Sequence, residues 1–174
     1  MAYCLLDAAR MGERIEEAKQ LAGPGQVCLY KGSAEAKFSH VAPYLFASGP
    51  PAFTDWLFAE GWGQAWGVFL IVETNLDVLQ RHFRRFLRVK TEDDQQLYFR
   101  FYDPRVLRLF LPTCDQQQLL DVFGPIRYFL VEDTDPGYGI NFWLEGGQLR
   151  QQRIAKEEVE AGYKRYLQRQ SSVR

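Results

Sequence analysis

Residues suited to acid–base chemistry are few in this chain of 174 residues. It has two histidines, His40 and His82, and the acid Asp7 lies near the end of an apolar run, residues 3–8. Sites in α/β folds lie at the carboxyl ends of strands, but an acid there also caps the helix that follows, and we favour the cap. The enzyme hypothesis is a small hydrolase or transferase that gathers Asp7, His82 and Asp103 at the carboxyl edge of a sheet.

The motifs of the common enzyme and cofactor-binding classes do not occur. The chain has no G-x-S-x-G nucleophile elbow, no G-x-x-x-x-G-K-[ST] phosphate loop and no H-E-x-x-H. Gly61 with Gly63, and Gly137 with Gly139, lack the third glycine of a dinucleotide fingerprint. His82 lies among four arginines and would be a poor metal ligand. We therefore expect no catalytic residue, no metal and no cofactor.

Cysteine usage and hydropathy both indicate the cytoplasm. Cys4, Cys28 and Cys114 are widely spaced and odd in number, unlike a disulfide framework or a zinc site, so we expect free thiols in a reducing compartment. No apolar run approaches the roughly 18 residues of a membrane span. The chain begins with an apolar stretch and not with the basic leader of a signal peptide.

The charge balance argues against nucleic acid and membrane partners, since 21 basic side chains face 22 acidic ones and the net charge is −1. One segment, residues 81–90, interleaves basic groups with Phe83 and Phe86, which could suit RNA. The two rings lie on the apolar stripe of a helix, so we expect them in the core and the basic groups in solvent or paired with the acids of 92–94. RNA binding is therefore the third hypothesis, which a continuous positive surface from this segment to the C-terminal tail would support.

The elements that position these residues follow from hydrophobic periodicity and turn residues. We predict helices over residues 11–22, 52–60, 76–87, 104–111, 115–123 and 155–170, with Thr74 or Asn75, Asp103 and Asp115 as caps. Strands are predicted over residues 3–8, 27–30, 41–47, 66–72, 87–90, 96–101, 126–132 and 138–144. Pro43 argues for an edge strand or a bulge, and the continuous apolar run 66–72 for a central strand.

These elements predict an α/β fold. The early strands alternate with helices and the later ones pair through tight turns, which indicates a mixed sheet flanked by helices, with an antiparallel C-terminal extension and a terminal helix. Residues 1–147 are predicted to form a single domain, and residues 148–174 a basic helical tail packed on it or extending from it. The tail carries +4 and the remainder −5, so the tail is a candidate docking segment.

One segment is distinctive, the F-R-F-Y-D-P-R-V block at residues 99–106. With other segments in matching order and spacing over roughly residues 3 to 130, it resembles the adaptor/chaperone family of bacterial type VI secretion, long catalogued as a domain of unknown function. The other segments are Y-C-L-L-D-A-A at 3–9, V-A-P-Y-L at 41–45, Trp66-Gly67, Leu79 with His82 and Arg84, and Phe123-Gly124-Pro125-Ile126.

This resemblance implies a non-enzymatic role. Adaptors of the family hold a toxic effector in the producing cell and deliver it to the trimeric spike protein of the secretion machine. Members often carry a longer, variable C-terminal lobe that helps to choose the effector, whereas only some 45 residues follow Ile126 here. The expected partners are therefore an effector and the spike.

The residue types suggest where such partners would bind. In the distinctive block, Arg100 and Tyr102 are predicted to alternate with Phe99 and Phe101 along a strand, so that one pair faces outwards. Asp103 caps the helix that Pro104 begins. Arg105 and Arg108 share one side of that helix, and the Arg105 guanidinium suits partner carboxylates or carbonyls.

The aromatic content suggests a second surface. There are 26 aromatic residues, 15% of the chain, and although each ring alone is expected in the core, such an excess indicates that some serve a partner. An effector segment would dock in an apolar groove or on a sheet edge. The candidates are Phe53, Trp56, Trp62, Trp66 and the strand 138–144, with the basic tail, including Arg150 and Arg153, matching charge.

Overall fold

The computed structural model describes residues 1–90 and 96–172. The first part of the chain forms β1 (Ala2–Asp7), α1 (Ala8–Met11), α2 (Arg14–Ala22), β2 (Gln26–Cys28), α3 (Ser33–Phe38), β3 (Pro43–Ala47), α4 (Pro51–Trp56) and β4 (Gly67–Val72). The second part forms α5 (Leu76–Arg84), β5 (Arg88–Lys90), β6 (Gln96–Tyr98), α6 (Pro104–Phe110), α7 (Gln116–Phe123), β7 (Ile126–Glu132), β8 (Tyr138–Glu145), β9 (Gln148–Ala155) and α8 (Lys156–Ser171).

A seven-stranded sheet of order β2-β3-β1-β4-β7-β8-β9 organises the molecule. The predicted α/β class, with flanking helices, an antiparallel C-terminal extension and a terminal helix, is confirmed. The sheet itself was predicted to be mixed, whereas each pairing in the described sheet is antiparallel. Two helical crossovers each skip a strand: α1 and α2 lead from β1 to β2, which run the same way with β3 between them, and α4 leads from β3 to β4, which run the same way with β1 between them. The other helical connections, from β2 to β3 and from β4 to β7, join neighbouring antiparallel strands. This is the split β-α-β arrangement of ferredoxin-like folds.

Helices cover both faces of the sheet, so its strands are apolar on both sides. On β1, Leu5 faces the side covered by α5, α6 and α7, whereas Cys4 and Leu6 face the side covered by α1, α2, α4 and α8. A sheet buried on both faces gives continuous apolar strands instead of alternating ones. This explains the uninterrupted runs that were predicted as strands.

Of the two strand positions predicted from the sequence, the central one is confirmed and the edge position is wrong. β4 is the middle strand of the seven, as predicted. β3 is an inner strand and not an edge, because it pairs with both β2 and β1. Pro43 is tolerated there as the first residue of β3, where its missing N–H removes no bond from the middle of the ladder.

The segment after residue 147 is not helical throughout, contrary to the prediction, because Gln148–Ala155 forms strand β9 and the helix α8 occupies Lys156–Ser171. β9 pairs with β8 along its length and forms one edge of the sheet. Helix α8 buries Val159 and Tyr163, and the Tyr163 hydroxyl donates to the carbonyl of Tyr3 at 3.0 Å. The boundary proposed at residue 147 stays a prediction, as does the docking role of the tail, whose last two residues lie outside the described ranges.

β5 and β6 form a separate two-stranded hairpin. The hairpin was predicted, but its turn, and the acids 92–94 expected to pair with the basic helix face, lie outside the described residues. In the part of the chain that is described, no helix has the length and apolar character needed to cross a membrane.

Candidate functional site

Two buried carboxylates meet where β1 and the distinctive block end. Asp7 and Asp103 are 1% and 2% exposed. Asp7 caps α1 by accepting the backbone N–H of Ala9 at 3.0 Å, and Asp103 caps α6 by accepting that of Arg105 at 3.0 Å. The Arg100 guanidinium pairs with Asp7 and lies 3.9 Å from Asp103, so that one cation links the two caps.

A second guanidinium covers Asp103 from the solvent side. Arg105 donates to both carboxylate oxygens, from Nε at 3.0 Å and from Nη2 at 2.6 Å, which is the bidentate geometry of a strong ion pair. Burial alone would raise the pKa of Asp103, but the hydrogen bonds from the Arg105 side chain and amide hold that pKa below its usual value. The Asp103 carboxyl is therefore ionised at neutral pH.

A third carboxylate, Glu132, ends β7 beside them. It is 7% exposed and accepts the backbone N–H of Gly63. Burial raises the pKa of Glu132, although hydrogen bonds from the Gly63 and Ala65 amides oppose the shift. Arg108 donates to the main-chain carbonyl of Glu132, which ties α6 to the end of β7.

These residues meet around the start of α6. Asp103 and Arg105 pair there, Arg100 lies between Asp103 and Asp7, and Arg108 further along the helix binds the Glu132 carbonyl. We call this unit the arginine corner: Asp7, Arg100, Asp103, Arg105, Arg108 and Glu132. The Arg100 and Arg105 side chains are 44% and 49% exposed, while the acids beneath them are buried. Buried acids thus orient guanidinium groups whose remaining N–H donors face solvent, where they can bind carboxylates or carbonyls of a partner.

The alternation predicted for the distinctive block is wrong. Strand β6 ends at Tyr98, and the backbone then turns, with the Asp103 amide bonded to the Arg100 carbonyl at 3.0 Å. Because of this turn the consecutive residues Phe101 and Tyr102 are both buried. Burial raises the pKa of the Tyr102 phenol, and the nearby Asp7 charge raises it further. Tyr102 therefore supports the corner from inside the free chain.

Two of the four aromatic candidates also belong to the core. Phe53 is 0% and Trp62 8% exposed, and the Trp62 indole N–H donates to the carbonyl of Pro136 at 2.8 Å. They pack inward because α4 and the following π-helical turn cover one face of the sheet. Their placement removes them from the surface of the free chain.

The other two aromatic candidates, Trp56 and Trp66, are half-buried and contact each other with ring centroids 5.2 Å apart. The Arg14 guanidinium lies over both rings, at 5.3 and 5.7 Å from their centroids. Trp56 and Trp66 thus take part in an internal cation–π cluster that joins α2 to α4.

The two tail arginines already have intramolecular partners. Arg150 pairs with Glu145 at 2.9 Å, and Arg153 pairs with Asp133 at 2.5 Å while lying over the Tyr138 ring. Strand β8, which contains the candidate segment 138–144, is paired on both sides and offers no free edge. β9 is the edge strand at this side of the sheet.

The histidine of the enzyme hypothesis has other partners. The Nε2 of His82 lies 2.8 Å from the carbonyl of Val122, and Nδ1 lies 2.9 Å from the Arg85 guanidinium. Burial, together with the Arg85 charge, lowers the pKa of His82 despite the bond to Val122, so the ring is neutral, donates from Nε2 and accepts at Nδ1. His82 therefore joins α5 to the end of α7, while Asp7 and Asp103 serve as helix caps.

Glu132 belongs to the site although no sequence motif marks it. The pattern that would have found it is the one that drew attention to Asp7: an acid that terminates a run of apolar strand residues. The Glu132 carboxylate accepts from the backbone of a loop 69 residues earlier, and its main-chain carbonyl accepts from an arginine 24 residues earlier. Because both partners are distant along the chain, no local sequence pattern predicts these contacts.

Comparison with known proteins gives one finding. A family model described as Domain of unknown function (DUF4123) matches residues 2–120, which include each residue of the arginine corner except Glu132. Neither the comparison with curated proteins nor that with solved structures finds a match.

Proposed function

The chain belongs to the DUF4123 family, and from this premise we propose that it is a non-enzymatic adaptor, which binds a type VI secretion effector in the bacterial cytoplasm and loads it onto the trimeric spike protein. The observation that carries the proposal is the family match, which covers the F-R-F-Y-D-P-R-V block that builds the arginine corner. The resemblance of that block to the secretion adaptors supplies the partners.

The arginine corner supports a protein-binding role by its electrostatics. The Arg100 and Arg105 guanidinium groups are held in place by buried acids and the Arg108 guanidinium by a main-chain carbonyl, so that little side-chain entropy is lost when a partner accepts their free N–H groups. Such groups recognise side-chain carboxylates and main-chain carbonyls at the ends of secondary structure. In the proposed adaptor the corner contacts one of the two protein partners.

The sheet edge supplies a second mode of recognition. β9 runs over eight residues, and its outer backbone groups are available for an added strand of an effector. Its exposed side chains are mostly glutamine and arginine, a composition that discourages edge-to-edge aggregation. Main-chain pairing at β9 and side-chain recognition at the corner are compatible with two partners.

The test begins with recovery of the tagged full chain from its native cells at low salt, followed by mass spectrometry of co-purifying proteins. The proposal expects a secreted effector, with or without the spike. Binding of the purified pair is then measured for Arg105→Ala combined with Arg108→Ala. Because charge-assisted hydrogen bonds contribute about 1.5–3 kcal/mol each, we expect affinity for one partner to fall at least about tenfold.

A matched control separates recognition from general charge loss. Arg127 is also exposed and pairs with Glu73 on the surface, outside the corner, so Arg127→Ala should bind both partners normally. Both variants are checked by circular dichroism for native secondary structure at the assay temperature, because Arg105→Ala also removes the partner of the buried Asp103 and should lower stability. Recovery of the chain alone under low salt, or normal binding by the corner variant, would contradict the proposal.

A further inference from the structure

A groove of about 290 Å³ lies between α3, the end of α5 and the β5–β6 hairpin. We call it the aromatic groove, and define it by the rings Tyr30, Phe38 and Tyr98 and the cations Lys31, Arg84 and Arg88. Leu29 and Leu87, which are 0% and 8% exposed, also line it. It shares no lining residue with the arginine corner.

The rings at the groove are exposed to an unusual degree for large apolar groups. Phe38 is 48% and Tyr98 62% exposed, and Tyr30 and Tyr98 have centroids 6.5 Å apart. Together with the buried leucines they form a surface that is apolar at its base and aromatic at its rim. Exposed aromatic groups around an apolar depression are typical of protein-binding sites.

Among the described residues, the charged groups that line the groove are all basic. Lys31, Arg84 and Arg88 line it, and no carboxylate of residues 1–90 or 96–172 is among the lining residues. This contrasts with the arginine corner, where each cation has a carboxylate or carbonyl beneath it. The Arg88 guanidinium instead lies 5.8 Å from the Tyr98 ring centroid. Three cations around an apolar base are complementary to an anionic partner with apolar side chains.

We infer that the aromatic groove binds an acidic segment of a partner protein, with an aliphatic or aromatic side chain anchored on Leu29 and Leu87 and flanking carboxylates on Lys31, Arg84 and Arg88. Single-stranded nucleic acid also combines anionic and stacking groups. The aliphatic base favours a side-chain anchor, and the −5 charge of residues 1–147 opposes binding of a long polyanion. This inference does not depend on the partner being a secretion effector.

The test uses the full chain and a fluorescein-labelled synthetic peptide in which glutamates alternate with leucine and phenylalanine, followed by fluorescence polarisation. We expect saturable binding, and no binding of the same peptide with lysines in place of the glutamates. Arg84→Glu combined with Arg88→Glu should weaken binding at least about tenfold, since reversed charges at an interface oppose the partner. The second variant, Tyr98→Ser, should weaken it severalfold by removal of an exposed ring.

The matched control is Arg81→Glu, which changes an exposed arginine on the same helix that does not line the groove. It should bind the peptide as the parent chain does. Absence of binding, or equal binding by the groove variants, overturns the inference. Displacement of the peptide by a short oligouridylate that binds more tightly would also overturn it, in favour of nucleic acid. The peptide experiment can succeed when the recovery of an effector fails, so the two proposals fail separately.

Discussion

Removal of the Arg100 side chain should destabilise the chain more than neutralisation of its partner Asp7. Asp7 is 1% exposed, whereas the Arg100 side chain is 44% exposed. Arg100→Ala therefore leaves a buried carboxylate whose remaining hydrogen bond comes from the Ala9 amide, while Asp7→Asn leaves a cation that solvent can hydrate. The asymmetry follows from the cost of burying an unpaired charge.

The magnitudes follow from this geometry. An unpaired buried carboxylate costs about 3–5 kcal/mol when fully enclosed, and partial solvent access at Arg100 reduces the expected loss to about 2–3 kcal/mol. Asn can still cap α1, so Asp7→Asn should cost about 1–2 kcal/mol. In the double variant, Asp7→Asn with Arg100→Ala, neither charge remains without its partner. Its loss of unfolding free energy should therefore be smaller than the sum of the two single losses by about 1–2 kcal/mol.

The assay is urea unfolding followed by tryptophan fluorescence and circular dichroism, with the free energy of unfolding compared at constant m-value. The exposed pair Asp55 and Lys164, whose atoms are 2.6 Å apart, is the control. Asp55→Asn should change stability by less than about 0.5 kcal/mol. If Arg100→Ala costs no more than this control, or if the two corner substitutions are additive, the link between the two helix caps does not stabilise the fold.

Two further predictions concern the contact between α5 and α7. Since burial, aided by Arg85, lowers the pKa of His82 below 6.5, the unfolded chain binds the proton first on acidification. The free energy of unfolding should therefore decrease as the pH falls below 6.5. Between about pH 7.5 and 5.5 this decrease should be smaller in His82→Gln than in the parent chain, and equal decreases would contradict the lowered pKa of His82. Gly124 has φ +45° and lies against the His82 ring, so Gly124→Ala should lower the free energy of unfolding by about 2–3 kcal/mol. In the same unfolding assay the control Gly49→Ala, whose added Cβ would meet no atom within 4 Å, should lower it by less than about 0.5 kcal/mol.

Local elements were largely predictable because their determinants lie within a few residues. Asp103 followed by Pro104 begins α6 as expected. Asp115 and Gln118 form a reciprocal capping box on α7, and Gly124 ends that helix. The free state of the three cysteines also agrees with their spacing. Caps and helix-ending glycines act through adjacent backbone groups, so the sequence carries them directly.

The order of the strands was not predictable in the same way. Strands that alternate with helices suggest neighbouring parallel pairs, but here the crossovers from β1 to β2 and from β3 to β4 each leave another strand between the two that they connect. Whether a crossover skips a strand depends on how the two halves interlock, which is a property of long-range packing. The inner position of β3, in spite of Pro43, has the same origin.

The exposure of the aromatic candidates also depended on tertiary structure. Periodicity distinguishes the two faces of an element, but it does not say whether both faces will be covered. In this sheet both are covered, so Phe53 and Trp62 are core residues, whereas Phe38 and Tyr98, which no sequence pattern marks as surface residues, line an open groove.

The sequence by itself determined the α/β class, most of the helices and strands, and the distinctive arginine block with its family resemblance. The tertiary structure alone decided that Arg100 meets Asp7 across 93 residues and that Arg108 meets Glu132. Helix caps and hydrophobic periods are interactions among neighbours along the chain. Pairing of a guanidinium with a distant acid depends instead on where the strands end in space, which only the assembled sheet specifies.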